Sequence, residues 1–309
     1  MPGADPTSER LVDLLEAIGG RHEGRRAAHA RGVLCAASFT PSPPAAELCR
    51  APHFSGGPHR AHVRFSNGSG DPSARDAARG AHGLAVKLYL PDGSTTDIVA
   101  MTLPRFFVRT VEDFIAFGEA RVPDPETGAP DMERVGAFLG AHPETLPAVQ
   151  AVMATLPPES YARLAYHAIH AFSLTAGDGT ERWVRWHWLP QAGESSLSDE
   201  RAAALPRDYL SGEIAERLEG APVAFMLEAQ VADAGDPLDD PTAEWPQRRR
   251  RVEMGRLELT GIATDRERDG DVLVFDPTRV CDGIGLSEDP ILHARSGAYR
   301  VSVARRTAG

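Results

Sequence analysis

The segment "ILHARSGAYRVSVARR" places Arg295 four residues before Tyr299. If the segment is helical, this spacing brings both side chains to one face, a turn apart, and holds a guanidinium against a phenol. Two further arginines, Arg305 and Arg306, close the same stretch. In "RRAAHARG", Arg26 and His29 precede a run with strand character. Histidine is the side chain suited to proton transfer near neutral pH, although a lone histidine is more often structural. In "HVRFSNGSG", Arg64 and Ser66 alternate with Val63 and Phe65, so the arginine and the serine share one face of a strand. An arginine turned inward calls for an anion, whereas on an exposed strand face it needs none. "DIVAMTLPRFFVRTVEDF" adds Phe106, Phe107 and Phe114. These suit the lining of an apolar pocket near a barrel mouth, and ordinary core packing explains them equally well.

These residues need elements to position them. "SERLVDLLEAIGG" carries Leu11, Leu14, Leu15 and Ile18 at helical spacing after a polar cap, which predicts an amphipathic helix over 8–20. "GVLCAASFT", "AHVRFSN", "GLAVKLYL" and "TDIVAM" read as strands between turn-rich stretches. A hairpin with Gly-Asp-Gly at its tip follows in "IHAFSLTAGDGTERWVRWHWLP", then "PVAFMLEAQVA" and "GRLELTGIA". The sum is about eight strands, a number at which a β-barrel closes. Helices are expected between the strand groups, in "TVEDFIAFGEA" with Thr110 and Asp113 as a capping box, "DMERVGAFLGAH", "ETLPAVQAVMATL" and "ALPRDYLSGEIAERLEG". The stretches "PDPETGAP" and "DAGDPLDDPTAEWP" read as surface loops, and the run Arg248 to Arg251 as a solvated edge. The fold class is therefore α+β: one domain over 1–309, with a mainly antiparallel eight-stranded barrel, peripheral helices and a core over about 26–306.

Composition limits the function classes. At 42% hydrophobic and 25% charged residues the chain is globular, and its formal charge of -11 argues against nucleic acid or anionic lipid as partner. "MPGADPTSERL" has no secretory pattern, and no run reaches the roughly 18 apolar residues of a membrane span, so a cytoplasmic protein is expected. Cys35, Cys49 and Cys281 lack metal-ligand spacing and are expected to be buried free thiols.

Taken in order, "RAAHARG", "RFSNGSG", "ARGAHGLAVKLY", "LPRFFVRTVEDF" and "VFDPTRVCDGIGLSEDPILHARSGAY" resemble the haem catalase superfamily from about Arg26 to Arg306. Within it the chain looks like the short catalase-related haem peroxidases. The resemblance implies a haem, expected as haem b, buried beside the barrel with Tyr299 as proximal ligand to its iron. Arg295 would favour the phenolate through opposite charge and hydrogen bonding. Arg26, Arg64 and Arg306 would meet the propionates. His29 falls at the distal histidine and Ser66 at the serine that orients it. Phe106 and Phe114 match aromatic residues bordering the haem, and Gly83 a glycine permitting close approach. Arg305 is left facing water.

Two departures shape the expected activity. Full catalases carry valines where Ala27 and Ala28 stand, which implies more room on the distal side. They also carry a distal asparagine where this chain has Met101, with Thr102 beside it. Methionine cannot donate a hydrogen bond to peroxide, so the resemblance implies a peroxidase using organic hydroperoxides or hydrogen peroxide with an external electron donor, and weak catalase activity. The chain has no counterpart of the C-terminal region that binds nucleotide in some relatives, so no NADPH is expected, and a homodimer is the assembly considered. Two other readings are rearrangement of fatty-acid hydroperoxides to allene oxides and a non-enzymatic barrel that holds haem or an apolar ligand.

Overall fold

A computed structural model describes residues 5–264 and 272–308; of the 1–309 expectation, residues 1–4, 265–271 and 309 lie outside the described part. Among the described residues ten strands form one antiparallel sheet: β1 (Gly32–Pro41), β2 (His59–Asn67), β3 (His82–Tyr89), β4 (Thr95–Met101), β5 (Tyr166–His167), β6 (Phe172–Thr175), β7 (Glu181–Pro190), β8 (Val223–Val231), β9 (Arg251–Ile262) and β10 (Ile284–Leu286). Eight of them, β1-β2-β3-β4-β5-β7-β8-β9, close a ring through the β9–β1 pairing, and the β6–β10 ribbon extends from β7. The expected barrel is present. Its interior is filled by alternate residues, among them Val63 and Phe65 of β2, Leu84 and Val86 of β3, and Phe225 and Leu227 of β8, all fully buried. The intervening residues of β2, β3 and β4 form an outer face.

In chain order the helices are α1 (Pro6–Gly19), α2 (Pro43–Leu48), α3 (Val111–Arg121), α4 (Met132–Ala141), α5 (Leu146–Ala154), α6 (Asp199–Ala203), α7 (Tyr209–Gly220) and α8 (Pro290–Thr307). Helices α1, α3 and α8 lie over that face, while α2 and α7 pack against β9. Helix α1 runs two residues earlier than the sequence predicts because Asp5, not Ser8, supplies the cap, accepting from the Ser8 N–H at 3.3 Å with Pro6 following it. Thr110 caps α3 as expected, its Oγ1 accepting from the Asp113 N–H at 3.1 Å. Leu11 and Leu14 of α1 pack with Ile115 of α3 and Ala294 and Ala298 of α8, while Phe106, Phe107 and Phe114 join Phe117, Phe138 and Ile291. These satellite clusters leave a cavity of about 660 Å³ between the helices and the barrel.

Three loop and surface expectations change. Arg305 does not merely face water: it bridges to Asp13 at 2.7 Å and Glu16 at 2.9 Å, tying α8 to α1. The stretch "DAGDPLDDPTAEWP" is more than surface, since Trp245 is buried and Arg185 donates to the carbonyls of Asp240 and Ala243. Cys35 and Cys49 are buried free thiols, while Cys281 is free but half-buried. Among the described residues no helix is long and apolar enough to cross a membrane.

Candidate active site

The barrel's outer face supplies one wall of the cavity. Ser66 of β2 pairs with Gly83 of β3, and Gly83 with Met101 of β4, so their outward positions form one row across the sheet. Ser66 Oγ lies 2.9 Å from His29 Nδ1. A Cβ on Gly83 would come within 2.8 Å of Ser66 Oγ and 3.0 Å of the His29 ring, which is why only glycine fits beneath it. His29 itself adopts φ 56°, the left-handed region that a non-glycine residue enters at a cost, on a loop tied by the Arg64 guanidinium, which donates to the His29 carbonyl at 3.0 Å. Burial, then the charges of Arg64, Arg295 and Arg26, push the imidazole down to about 3, so it is neutral at neutral pH and able to accept a proton.

Another wall is α8. Asp289 caps the helix, its Oδ1 accepting from the N–H groups of Ile291 and Leu292, and Pro290 follows at the first position. Its other oxygen accepts from His170 Nδ1 at 2.6 Å, and both side chains are buried. A carboxylate only accepts, so His170 carries its proton on Nδ1 and presents the Nε2 lone pair to Arg295 Nη1 at 3.0 Å. Desolvation holds His170 down at about 4, which keeps that lone pair free at neutral pH. Arg295 then directs Nε and Nη2 onto Tyr299 Oη at 2.9 and 2.6 Å. The four-residue spacing thus holds a guanidinium on a phenol oxygen, oriented from behind by a histidine and a helix cap. His170 and Asp289 are members of the site that sequence reasoning missed; the Asp-Pro helix-start signal was visible, but nothing local linked it to a histidine 119 residues away.

His29, Ser66, Gly83, Met101, Arg295 and Tyr299 all line the one cavity, as do Arg26, Arg64, Arg306, Phe106 and Phe114. Every candidate residue is therefore brought together. Arg64 resolves the strand-face alternative: it points out of the barrel yet is only 8% exposed, because the helix layer covers it. Arg26 donates to the Leu273 carbonyl at 3.0 Å, which draws the 272–281 stretch to the rim. Phe106 and Phe114 stack with centroids 6.1 Å apart and planes within 10°. Ala27 and Ala28 also face the space, leaving it open beside His29.

A model of the catalase family matches residues 11–309. The chain belongs to the catalase family. It is 42% identical over 302 residues to a catalase-related peroxidase of Mycolicibacterium paratuberculosis, covering 97% of this chain and 95% of that protein. A catalase-related peroxidase of Synechococcus elongatus is 33% identical, with 98% and 89% covered. Among solved structures, a fungal catalase superimposes with a TM-score of 0.83 at 23% identity, and a bacterial catalase with 0.81 at 24%. The chain spans 63% and 61% of those two chains, and the likeness to them is one of fold. Catalase membership implies haem, and the residues present fit it. A phenol with two guanidinium donors and a neutral imidazole line one cavity, three arginines line the same space, and the glycine floor admits no side chain.

Proposed function

We infer that this catalase-family protein is a haem-dependent peroxidase that reduces hydroperoxides with electrons from an outside donor. The observation that carries the reading is the pairing of His29 and Tyr299 on one cavity, each with its orientation fixed by its own hydrogen-bond partners. In this reading Tyr299 holds the haem iron, Arg26, Arg64 and Arg306 meet the propionates, and Phe106 and Phe114 border the ring. When bound, the haem supplies the electrons that break the oxygen-oxygen bond. The chain's own residues handle the proton. Ser66 occupies His29 Nδ1, which leaves Nε2 to take the proton from one hydroperoxide oxygen and return it to the other as that oxygen departs. Arg295 stabilises negative charge on Tyr299 Oη, and His170 and Asp289 keep the guanidinium aimed there.

Met101 favours a peroxidase over efficient disproportionation of hydrogen peroxide, since its thioether offers no hydrogen bond to orient a second small peroxide. The names of both catalase-related relatives support peroxidase chemistry over hydroperoxide rearrangement or haem storage. Haem b as the form bound, a homodimer and a cytoplasmic location belong to the same reading.

The visible spectrum of the purified protein tests it first. A Soret band is expected in the wild type and its loss in Tyr299→Phe. His29→Ala should keep the haem and slow reaction with hydroperoxide by about 10² to 10⁴. A colourless protein that refuses added haem would overturn the assignment, and undiminished peroxide reactivity in His29→Ala would favour storage.

A further inference from the structure

The row that begins beneath His29 does not end at Met101. Met101 pairs with His167 of β5, and His167 with His187 of β7, so a histidine pair continues the same face. Neighbouring strands lie about 4.8 Å apart, which sets His167 one strand beyond Met101. His167 is half-buried and lines the cavity. Neither histidine has a part in the hydrogen-bond train behind Tyr299.

The protons on this pair can be assigned from its far end. Gln230 Nε2 donates to the Pro246 carbonyl at 3.0 Å, and a carbonyl can only accept, so the amide is oriented with Oε1 toward His187. That oxygen lies 3.1 Å from His187 Nε2, which must therefore carry the proton. Burial holds His187 and His167 down at about 3 and 4, so each ring is neutral at neutral pH and has one proton. His187 Nδ1 is then the bare nitrogen, and His167 Nδ1, 2.7 Å away, is the donor to it. The remaining atom, His167 Nε2, is left as a lone pair. Gln230 thus fixes, through two rings, an acceptor-only nitrogen on His167, the strand neighbour of Met101 in the cavity lining.

We propose that His167 Nε2 is the docking point for the reducing co-substrate, and that it selects a neutral donor presenting an O–H, of the phenol or hydroquinone class. An acceptor-only nitrogen pairs with a hydroxyl, gives nothing to a molecule without an N–H or O–H, and opposes an anion that presents only oxygen lone pairs. Met101 alongside offers an apolar, polarisable contact for an aromatic ring. The hydroperoxide's proton already has an acceptor in His29, so the second acceptor in the row is free for the second substrate. His167 is a positioning and specificity residue here, and the inference rests on the peroxidase reading.

The test compares p-cresol, a neutral phenol, with N,N,N′,N′-tetramethyl-p-phenylenediamine, a donor with neither O–H nor N–H, in the haem-loaded protein. His167→Phe should raise the KM for p-cresol about tenfold, the worth of one hydrogen bond, and leave the diamine and the hydroperoxide KM within about twofold. Equilibrium binding of p-cresol to the resting protein, read as a Soret difference spectrum, should weaken by the same factor. Gln230→Met, at a position that does not line the cavity, should shift p-cresol binding in the same direction by freeing the tautomer. Equal losses with both donors, a change in the hydroperoxide KM, or p-cresol binding unmoved in both variants would overturn the proposal. A wild type that oxidised neither donor would overturn the peroxidase reading itself, and this one with it.

Discussion

At the scale of single residues, the cavity sets a polar His29, held from its loop by Ser66 of β2, near an apolar Met101 of β4, with Gly83 of β3 between the serine and the methionine. Met101 is the position at which activity is expected to be tuned. An asparagine there would add a donor beside the imidazole, worth about 1 kcal/mol to an oriented peroxide, or roughly a fivefold gain. Met101→Asn should therefore raise the rate of oxygen release from hydrogen peroxide several-fold relative to oxidation of an external donor. A ratio of the two rates no different from wild type would show that the methionine does not limit disproportionation. Arg295 with Tyr299 stood out in sequence by their four-residue spacing and Arg64 by its alternation with apolar residues, whereas His29, Gly83, Phe106, Phe114 and Arg306 were marked by the family resemblance and not by their own chemistry. His170 and Asp289 were marked by neither, since a loop histidine and a helix-cap aspartate are each common, and only the β6–β10 pairing brings their segments together, with the side chains 2.6 Å apart.

At the scale of elements, the sequence told the long strands plainly through their alternation, and the short ones hardly at all. β5 is two residues long, too short to show any period, yet it joins β4 to β7 and closes the barrel. The 272–281 stretch is equally quiet in sequence, and a buried ion cluster fixes it. Lys87 Nζ lies 2.5 Å from Asp97 Oδ1, Arg279 pairs with the other oxygen, and the Asp276 N–H donates to that oxygen at 2.8 Å. Burial pushes the Asp97 carboxyl up and the Lys87 ammonium down, and their mutual attraction with Arg279 offsets that cost. Asp97→Asn would leave two cations facing no buried anion, so a loss of about 3–5 kcal/mol is expected in urea unfolding. Because the Leu273 carbonyl holds Arg26, haem retention should fall in the same variant. A loss under about 1 kcal/mol would show that the cluster does not anchor the stretch.

At the scale of the whole molecule, the fold hides an unusual set of histidines. His29, His53 and His187 are pushed down to about 3, and His82, His167 and His170 to about 4, in each case with burial as the first cause. A histidine whose folded value lies below its usual 6.5 is more readily protonated in the unfolded chain. Its contribution to stability is complete above about 6.5 and is lost as pH falls toward the folded value. Exposed carboxylates such as Asp71, Asp92 and Asp124 are held below the usual range by local hydrogen bonds, and they act only in more acid solution. The window from about pH 6.5 down to about pH 4 thus belongs mainly to the histidines, each costing up to ~1.4 kcal/mol per pH unit once its unfolded form is protonated, against one opposing contribution from Asp97, whose carboxyl burial pushes up. Urea unfolding at pH 7, 6 and 5 should show stability falling with a slope of several protons below pH 6. His53 and His82 allow a check that spares the proton-transfer residue: replacing either by phenylalanine should lower the slope by about one proton. A curve flat between pH 7 and 5 would mean that these rings gain protons without the fold opening.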